Sequence, residues 1–129
     1  MKNHHIRLTI EEESIYQLEG YPSQFAQAIL NIISNAKDIL LERHIKEPHI
    51  HIFIGKSSEE HLIVRIEDNG GGILIEPIDR IFEPYVSTKH AKSGTGIGLY
   101  MSKTIIEKNA QGTLKAYNTT VGACFEIIL

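Results

Sequence analysis

Asn31, Asn35, Asp38 and Glu42 recur at steps of four, three and four residues, the spacing that stacks side chains along one narrow face of an α-helix. Asparagines one turn apart present carbonyl oxygens. These are hard donors that suit a cation such as Mg2+, which keeps several waters and shares its coordination with phosphate oxygens. A plain surface face is usually built from Lys, Glu and Arg, which are better helix formers than Asn. The stripe has two readings, a solvated face or a divalent-cation site beside a phosphate, and by itself it does not separate them.

Two glycine clusters carry further chemistry. Asp68-Asn69-Gly70-Gly71-Gly72-Ile73 sets a carboxylate beside glycines, which tolerate positive φ and let backbone approach a ligand closely. A carboxylate placed there can accept a hydrogen bond from an exocyclic amino group such as that of adenine. The competing reading is an ordinary tight turn, for which Asn-Gly is a strong signal. Gly94-Thr95-Gly96-Ile97-Gly98-Leu99 opens a helix whose free N–H groups, unobstructed by side chains, suit phosphate. Its G-x-G-x-G spacing is neither the dinucleotide fingerprint nor a P-loop, since no strand runs directly into it and no Lys-Ser/Thr follows. Glycines cost a helix heavily unless something uses them.

The elements that would position these groups follow from periodicity. A helix is predicted from Pro22 or Ser23 to about His44, with Pro48 beyond its end. At about 100° per residue its broad apolar face holds Phe25, Ala28, Ile29, Ile32, Ala36, Ile39 and Leu40. Two short strands, Ile6 to Ile10 and Ile15 to Leu18, are predicted on either side of Glu11-Glu12-Glu13. His49 to Gly55 and His61 to Asp68 alternate as a hairpin. A helical turn over Pro77 to Phe82 leads into a segment, Glu83 to Thr95, long enough to be a functional loop. A helix from about Gly96 to Lys108 and strands Gly112 to Tyr117 and Ala123 to Leu129 complete the chain. This order favours one mixed sheet with helices packed on a single face.

Length and composition bound the rest. The 129 residues, 42% hydrophobic and 22% charged, suit a single domain spanning 1–129 with one core. A net charge of −3 gives no electrostatic reason to expect nucleic acid or an anionic membrane as partner. Cys124 is the one cysteine; it has no internal disulfide partner, which fits a reducing, cytoplasmic setting, and its apolar surroundings suit a buried structural thiol. His4 and His5 lack a further ligand in sequence and read as a plain terminus. No long apolar span or signal peptide is present.

These pieces stand in the order and spacing of the catalytic domain of sensor histidine kinases, which the chain resembles from about Tyr21 to its end. Asn31-Ile32-Ile33-Ser34-Asn35-Ala36 resembles the family's N box, and Asp68 to Ile73 its G1 box. Arg80-Ile81-Phe82-Glu83-Pro84-Tyr85 is similar to the F box, and Gly94 to Leu99 to the G2 box. Gly122-Ala123-Cys124-Phe125 is similar to the closing glycine-and-phenylalanine element. The resemblance implies an α+β fold, a two-layer sandwich of a mixed five-stranded sheet and about three helices. It implies ATP bound with Mg2+ between the long helix and a mobile lid. Asn35 would hold Mg2+ with Asn31 assisting, and Asp68 would read the adenine amino group. Gly70, Gly72, Ile73, Phe82, Tyr85 and Phe125 would border the nucleotide, and Gly94, Thr95, Gly96, Ile97, Gly98 and Leu99 would wrap its phosphates. Ser87-Thr88-Lys89 matches the lid of nitrogen-regulator-like kinases, where Lys89 would meet the γ-phosphate; Asp38 stands where relatives carry Lys or Asp near the ligand.

The resemblance further implies a phosphoacceptor and dimerisation domain of a parent kinase as partner, a response regulator indirectly, and a monomeric isolated domain. The family's phosphorylated histidine is typically followed by an acid, and none of His4, His5, His44, His49, His51, His61 or His90 is. The acceptor and any sensor domain are therefore expected outside this chain. Relatives in the gyrase, MutL and heat-shock chaperone branch carry a glutamate base four residues before the metal asparagine, where this chain has Asn31, which is no base. The remaining alternatives are an ATPase or serine kinase of that superfamily, and a binding module without chemistry.

Overall fold

The computed structural model describes residues 5–13, 22–84 and 97–129. Strand β1 (Arg7–Glu12) is followed by helix α1 (Pro22–Glu42), then by β2 (His49–Lys56) and β3 (Leu62–Asp68). A 3-10 turn (Ile78–Phe82), helix α2 (Gly98–Thr104) continuing into a π turn (Ile105–Asn109), and strands β4 (Thr113–Asn118) and β5 (Ala123–Ile128) complete the order. The five strands form one mixed sheet in the order β1-β2-β3-β5-β4. This is the expected α+β architecture, with the 3-10 turn as the third helical piece.

β1 runs parallel to β2, pairing Arg7 with His49 through Glu12 with Ile54. Parallel neighbours need a long crossover, and α1 lies between them in the chain. Glu11 and Glu12 prolong β1 instead of ending it. An edge strand tolerates charge on its outward side, and the Glu11 carboxylate lies 3.2 Å from His51 Nε2 on β2. The second short strand expected at Ile15 to Leu18 lies outside the described residues.

The core forms between the helices and one sheet face. Ala28, Ile32, Ala36 and Leu40 of α1 meet Ile50 and Ile52 of β2, Val64 and Ile66 of β3, Leu114 of β4, and Phe125 and Ile127 of β5. Alternation at period two on the strands and about 3.6 on the helix puts these residues on facing surfaces. Ser102 on α2 is fully buried and donates to the Ala28 carbonyl at 2.8 Å, so a buried hydrogen bond ties the two helices together. Cys124 is buried on the opposite sheet face. Burial pushes its thiol up to about 11, which makes it a structural thiol rather than a nucleophile.

α1 ends in a Schellman turn. His44 takes φ 53°; its N–H donates to Leu41 O at 3.2 Å, and that of Ile45 to Leu40 O at 3.1 Å. These bonds satisfy the last carbonyls of the helix. The predicted end near His44 is thus right to within two residues, with Arg43 as the cap.

Candidate functional site

A shallow, open cleft is lined by Asn35, Ile39, Asp68, Gly72, Ile73, Ile81, Leu99, Ala123 and Phe125. α1, the end of β3, the glycine turn after it, the 3-10 turn, α2 and β5 each contribute to it. Its walls are apolar apart from two groups, Asn35 and Asp68.

Asp68 closes β3 with 6% of its surface exposed. Its Oδ1 accepts from Gly70 N at 2.8 Å and from Ala123 N at 3.4 Å. Its other oxygen accepts no hydrogen bond from a described residue. Burial raises the carboxyl above the ordinary carboxylate range, opposed by the hydrogen bonds from Gly70 and Ala123 and by the Arg43 charge. Gly122 makes this packing possible. A Cβ there would stand 2.0 Å from the Asp68 carbonyl oxygen, a backbone atom that cannot swing away.

After Asp68 the chain turns through Gly71 (φ 93°) and Gly72 (φ 97°), a conformation that L side chains rarely adopt. The turn delivers Ile73, 6% exposed, to the cleft wall. Phe125, at 1% exposure, forms the floor and meets Phe82 edge to face, with ring centroids 6.1 Å apart. Lys103 Nζ lies 4.8 Å above the Phe82 ring. The apolar half of Arg80-Ile81-Phe82 is thereby packed under the site, and Phe82 itself does not line the cleft.

Asn35 is 7% exposed on α1 and makes no side-chain hydrogen bond to a described residue, although it opens on the cleft. Among the described residues no fully buried side-chain polar atom is without a partner, so the amide is not an orphan of the core but faces the open side of the cleft. Asn31 is different. Its Oδ1 accepts from Gln27 Nε2 at 2.8 Å and its Nδ2 donates to Gly98 O at 3.2 Å, so its amide joins α1 to the start of α2. Asp38, half-buried, lies outside the cleft lining. Leu99 lines the cleft, and Ile97 and Gly98 lead into α2. Tyr85, Lys89, Gly94, Thr95 and Gly96, like most of the expected loop Glu83 to Thr95, lie outside the described residues.

The family model for histidine kinase-, DNA gyrase B- and HSP90-like ATPases matches residues 20–129. The chain belongs to this family. It is 35% identical over 118 residues to the two-component sensor PprA of Pseudomonas aeruginosa, covering 87% of this chain and 12% of that protein. It is 36% identical over 110 residues to sporulation kinase A of Bacillus subtilis, covering 84% of this chain and 16% of that protein. The chain therefore spans less than a fifth of either relative's length. The nucleotide-free catalytic domain of histidine kinase ThkA superposes with a TM-score of 0.80 at 24% identity, covering 98% of this chain and 79% of that one. That likeness is one of fold. The family's ATPase character supports nucleotide binding by this chain. No helix among the described residues is long and apolar enough to cross a membrane.

Sequence reasoning passed over Ile39, Ile81 and Ala123 as cleft residues, and Arg43 and Asn118 as neighbours of the glycine turn. Ile39 and Ala123 read as ordinary core positions. Arg43 lies unmarked near the end of the predicted long helix, and Asn118 just past the strand predicted over Gly112 to Tyr117. Only packing brings them to the site.

Proposed function

We propose that this chain is the ATP-binding catalytic domain of a two-component sensor histidine kinase, holding Mg-ATP for γ-phosphoryl transfer to a histidine on a separate phosphoacceptor and dimerisation domain. The reading is carried by one observation: a carboxylate, Asp68, and an amide with no partner among the described residues, Asn35, line one otherwise apolar cleft. Likeness to a two-component sensor and a sporulation kinase supports it.

Phosphoryl transfer asks for positioning and charge neutralisation more than covalent help. The free oxygen of Asp68 would accept the adenine amino group, while Ile73, Phe125 and the backbone at Gly70 and Gly72 enclose the ring. Asn35 would hold Mg2+, whose charge, when bound, neutralises that of the triphosphate. Asn31 would assist by holding the start of α2, where Gly98 and Leu99 follow the phosphate-binding segment Gly94, Thr95 and Gly96. Lys89 would contact the γ-phosphate from the lid. A response regulator would take the phosphoryl group in turn.

The absence of a glutamate at position 31 leaves water without a base at that position. The chain alone should therefore turn ATP over slowly. Adding the phosphoacceptor domain of the parent kinase should give an acid-labile, alkali-stable phosphoprotein. Rapid hydrolysis by the isolated chain would replace the kinase reading with an ATPase one.

A further inference from the structure

The glycine turn that borders the proposed adenine site is gripped from two sides by side chains that do not line the cleft. From the end of α1, Arg43 Nη1 donates to Gly70 O at 2.6 Å and to Gly72 O at 2.8 Å. From the last residue of β4, Asn118 Oδ1 accepts from Ile73 N at 2.6 Å, and Asn118 Nδ2 donates to Ile73 O at 3.2 Å. The amide of Asn118 thus pairs with both backbone groups of one residue, as a neighbouring strand would.

We propose that Arg43 and Asn118 are positioning residues for the adenine base, setting the turn 70–73 in its binding geometry before nucleotide arrives. This rests on the reading of the cleft as an ATP site.

Two successive glycines at positive φ have wide conformational freedom. A turn of that composition makes a defined wall only if something outside it removes the freedom, and preorganisation of this kind shows in affinity. Arg43 can do so because its own backbone is fixed by the Schellman bonds at His44 and Ile45. Asn118 can do so because β4 is locked to β5, with Asn118 opposite Ala123. The fit is close: a Cβ at Gly72 would stand 3.0 Å from Asn118 Oδ1.

The Arg43 charge has a second effect at the same place. It is the side-chain charge that holds down the carboxyl of Asp68, which burial would otherwise raise further. One guanidinium therefore shapes the wall and favours the ionised acceptor beside it. A purely structural staple would need the carbonyl contacts alone.

The test is calorimetric titration of the 129-residue chain with ADP and GDP, with and without Mg2+, for Arg43→Ala, Arg43→Gln and Asn118→Ala. Asn118→Asp, which keeps the acceptor for Ile73 N–H, serves as the milder variant. ADP affinity should fall on the order of tenfold in the alanine variants, as expected for lost charge-assisted or paired amide contacts. The fall should be the same with and without Mg2+ because it arises at the base end. Binding stoichiometry should stay at that of the unsubstituted chain, and methylguanidinium should restore part of the affinity of Arg43→Ala. An ADP affinity unchanged within about twofold, or a loss seen only as reduced stoichiometry, would overturn the inference. GDP binding as tight as ADP in the unsubstituted chain would overturn the adenine reading itself, and this inference with it.

Discussion

Replacing Asp68 by Asn changes one atom and separates recognition from folding. In the native site Oδ1 is occupied by Gly70 N–H at 2.8 Å and Ala123 N–H at 3.4 Å, which leaves the other oxygen for the adenine amino group. An asparagine must keep its carbonyl toward those N–H groups, because the turn cannot spare the bond. Its NH2 then faces the adenine NH2, donor against donor. Leaving a buried polar group mispaired costs about 1–3 kcal/mol, or roughly a five- to 150-fold rise in Kd for ADP. Stability should behave differently. The folded-state pKa of Asp68 is raised by burial, so folding favours its protonated form. Its contribution is complete below the unfolded pKa and is lost as pH rises through the folded one. At neutral pH the neutral asparagine escapes that desolvation cost, and the thermal midpoint should not fall. Guanine carries a carbonyl oxygen where adenine carries its amino group, so the preference for ADP over GDP should narrow. Calorimetry with both nucleotides and a thermal melt at pH 7 decide the matter. Undiminished ADP affinity in Asp68→Asn would refute the reasoning.

Four other outcomes are expected. Asn35→Ala should remove the Mg2+-dependent increment of ATP affinity while the base end still binds, measured as the ratio of Kd with and without Mg2+; its fold should hold, since Ala is the better helix former. ADP affinity should fall on acidification at a pH above the ordinary carboxylate range, because binding needs ionised Asp68 and burial has raised its pKa; a titration over pH locates this limb. Gly122→Ala drives a Cβ onto the Asp68 carbonyl and should destabilise the domain by about 1–3 kcal/mol in urea unfolding, with nucleotide binding lost as well. Ser102→Ala removes the bond to the Ala28 carbonyl, which keeps its intrahelical donor, and should cost about 0.5–1.5 kcal/mol, with little effect on Kd.

Much of the site was legible because its groups lie on regular periods or in glycine clusters. The 4-3-4 stripe on α1 put Asn35 on a different face from Ile32 and Leu40, and the carboxylate-glycine run marked Asp68 and the turn after it. The same periodicity gave no means of telling Asn31 from Asn35. Both sit on one stripe, yet Asn31 is spent on Gln27 and Gly98 while Asn35 opens on the cleft without a partner among the described residues. That difference arises from where α2 crosses α1, which has no local signature. Glu11 and Glu12 misled for a related reason: local composition marks an acidic run as a break, whereas an edge strand carries it in solution.

The sequence by itself determined the elements, the apolar face of each, the order of the boxes and the family they resemble, because side-chain period and glycine placement act over a few residues. Tertiary structure alone decided that β5 inserts between β3 and β4, bringing Phe125 beneath the cleft and Gly122 against the end of β3. It alone brought Arg43 and Asn118, from elements far apart in the chain, to the two sides of one glycine turn. Such contacts depend on how separate surfaces bury one another, and no local pattern of residues encodes that.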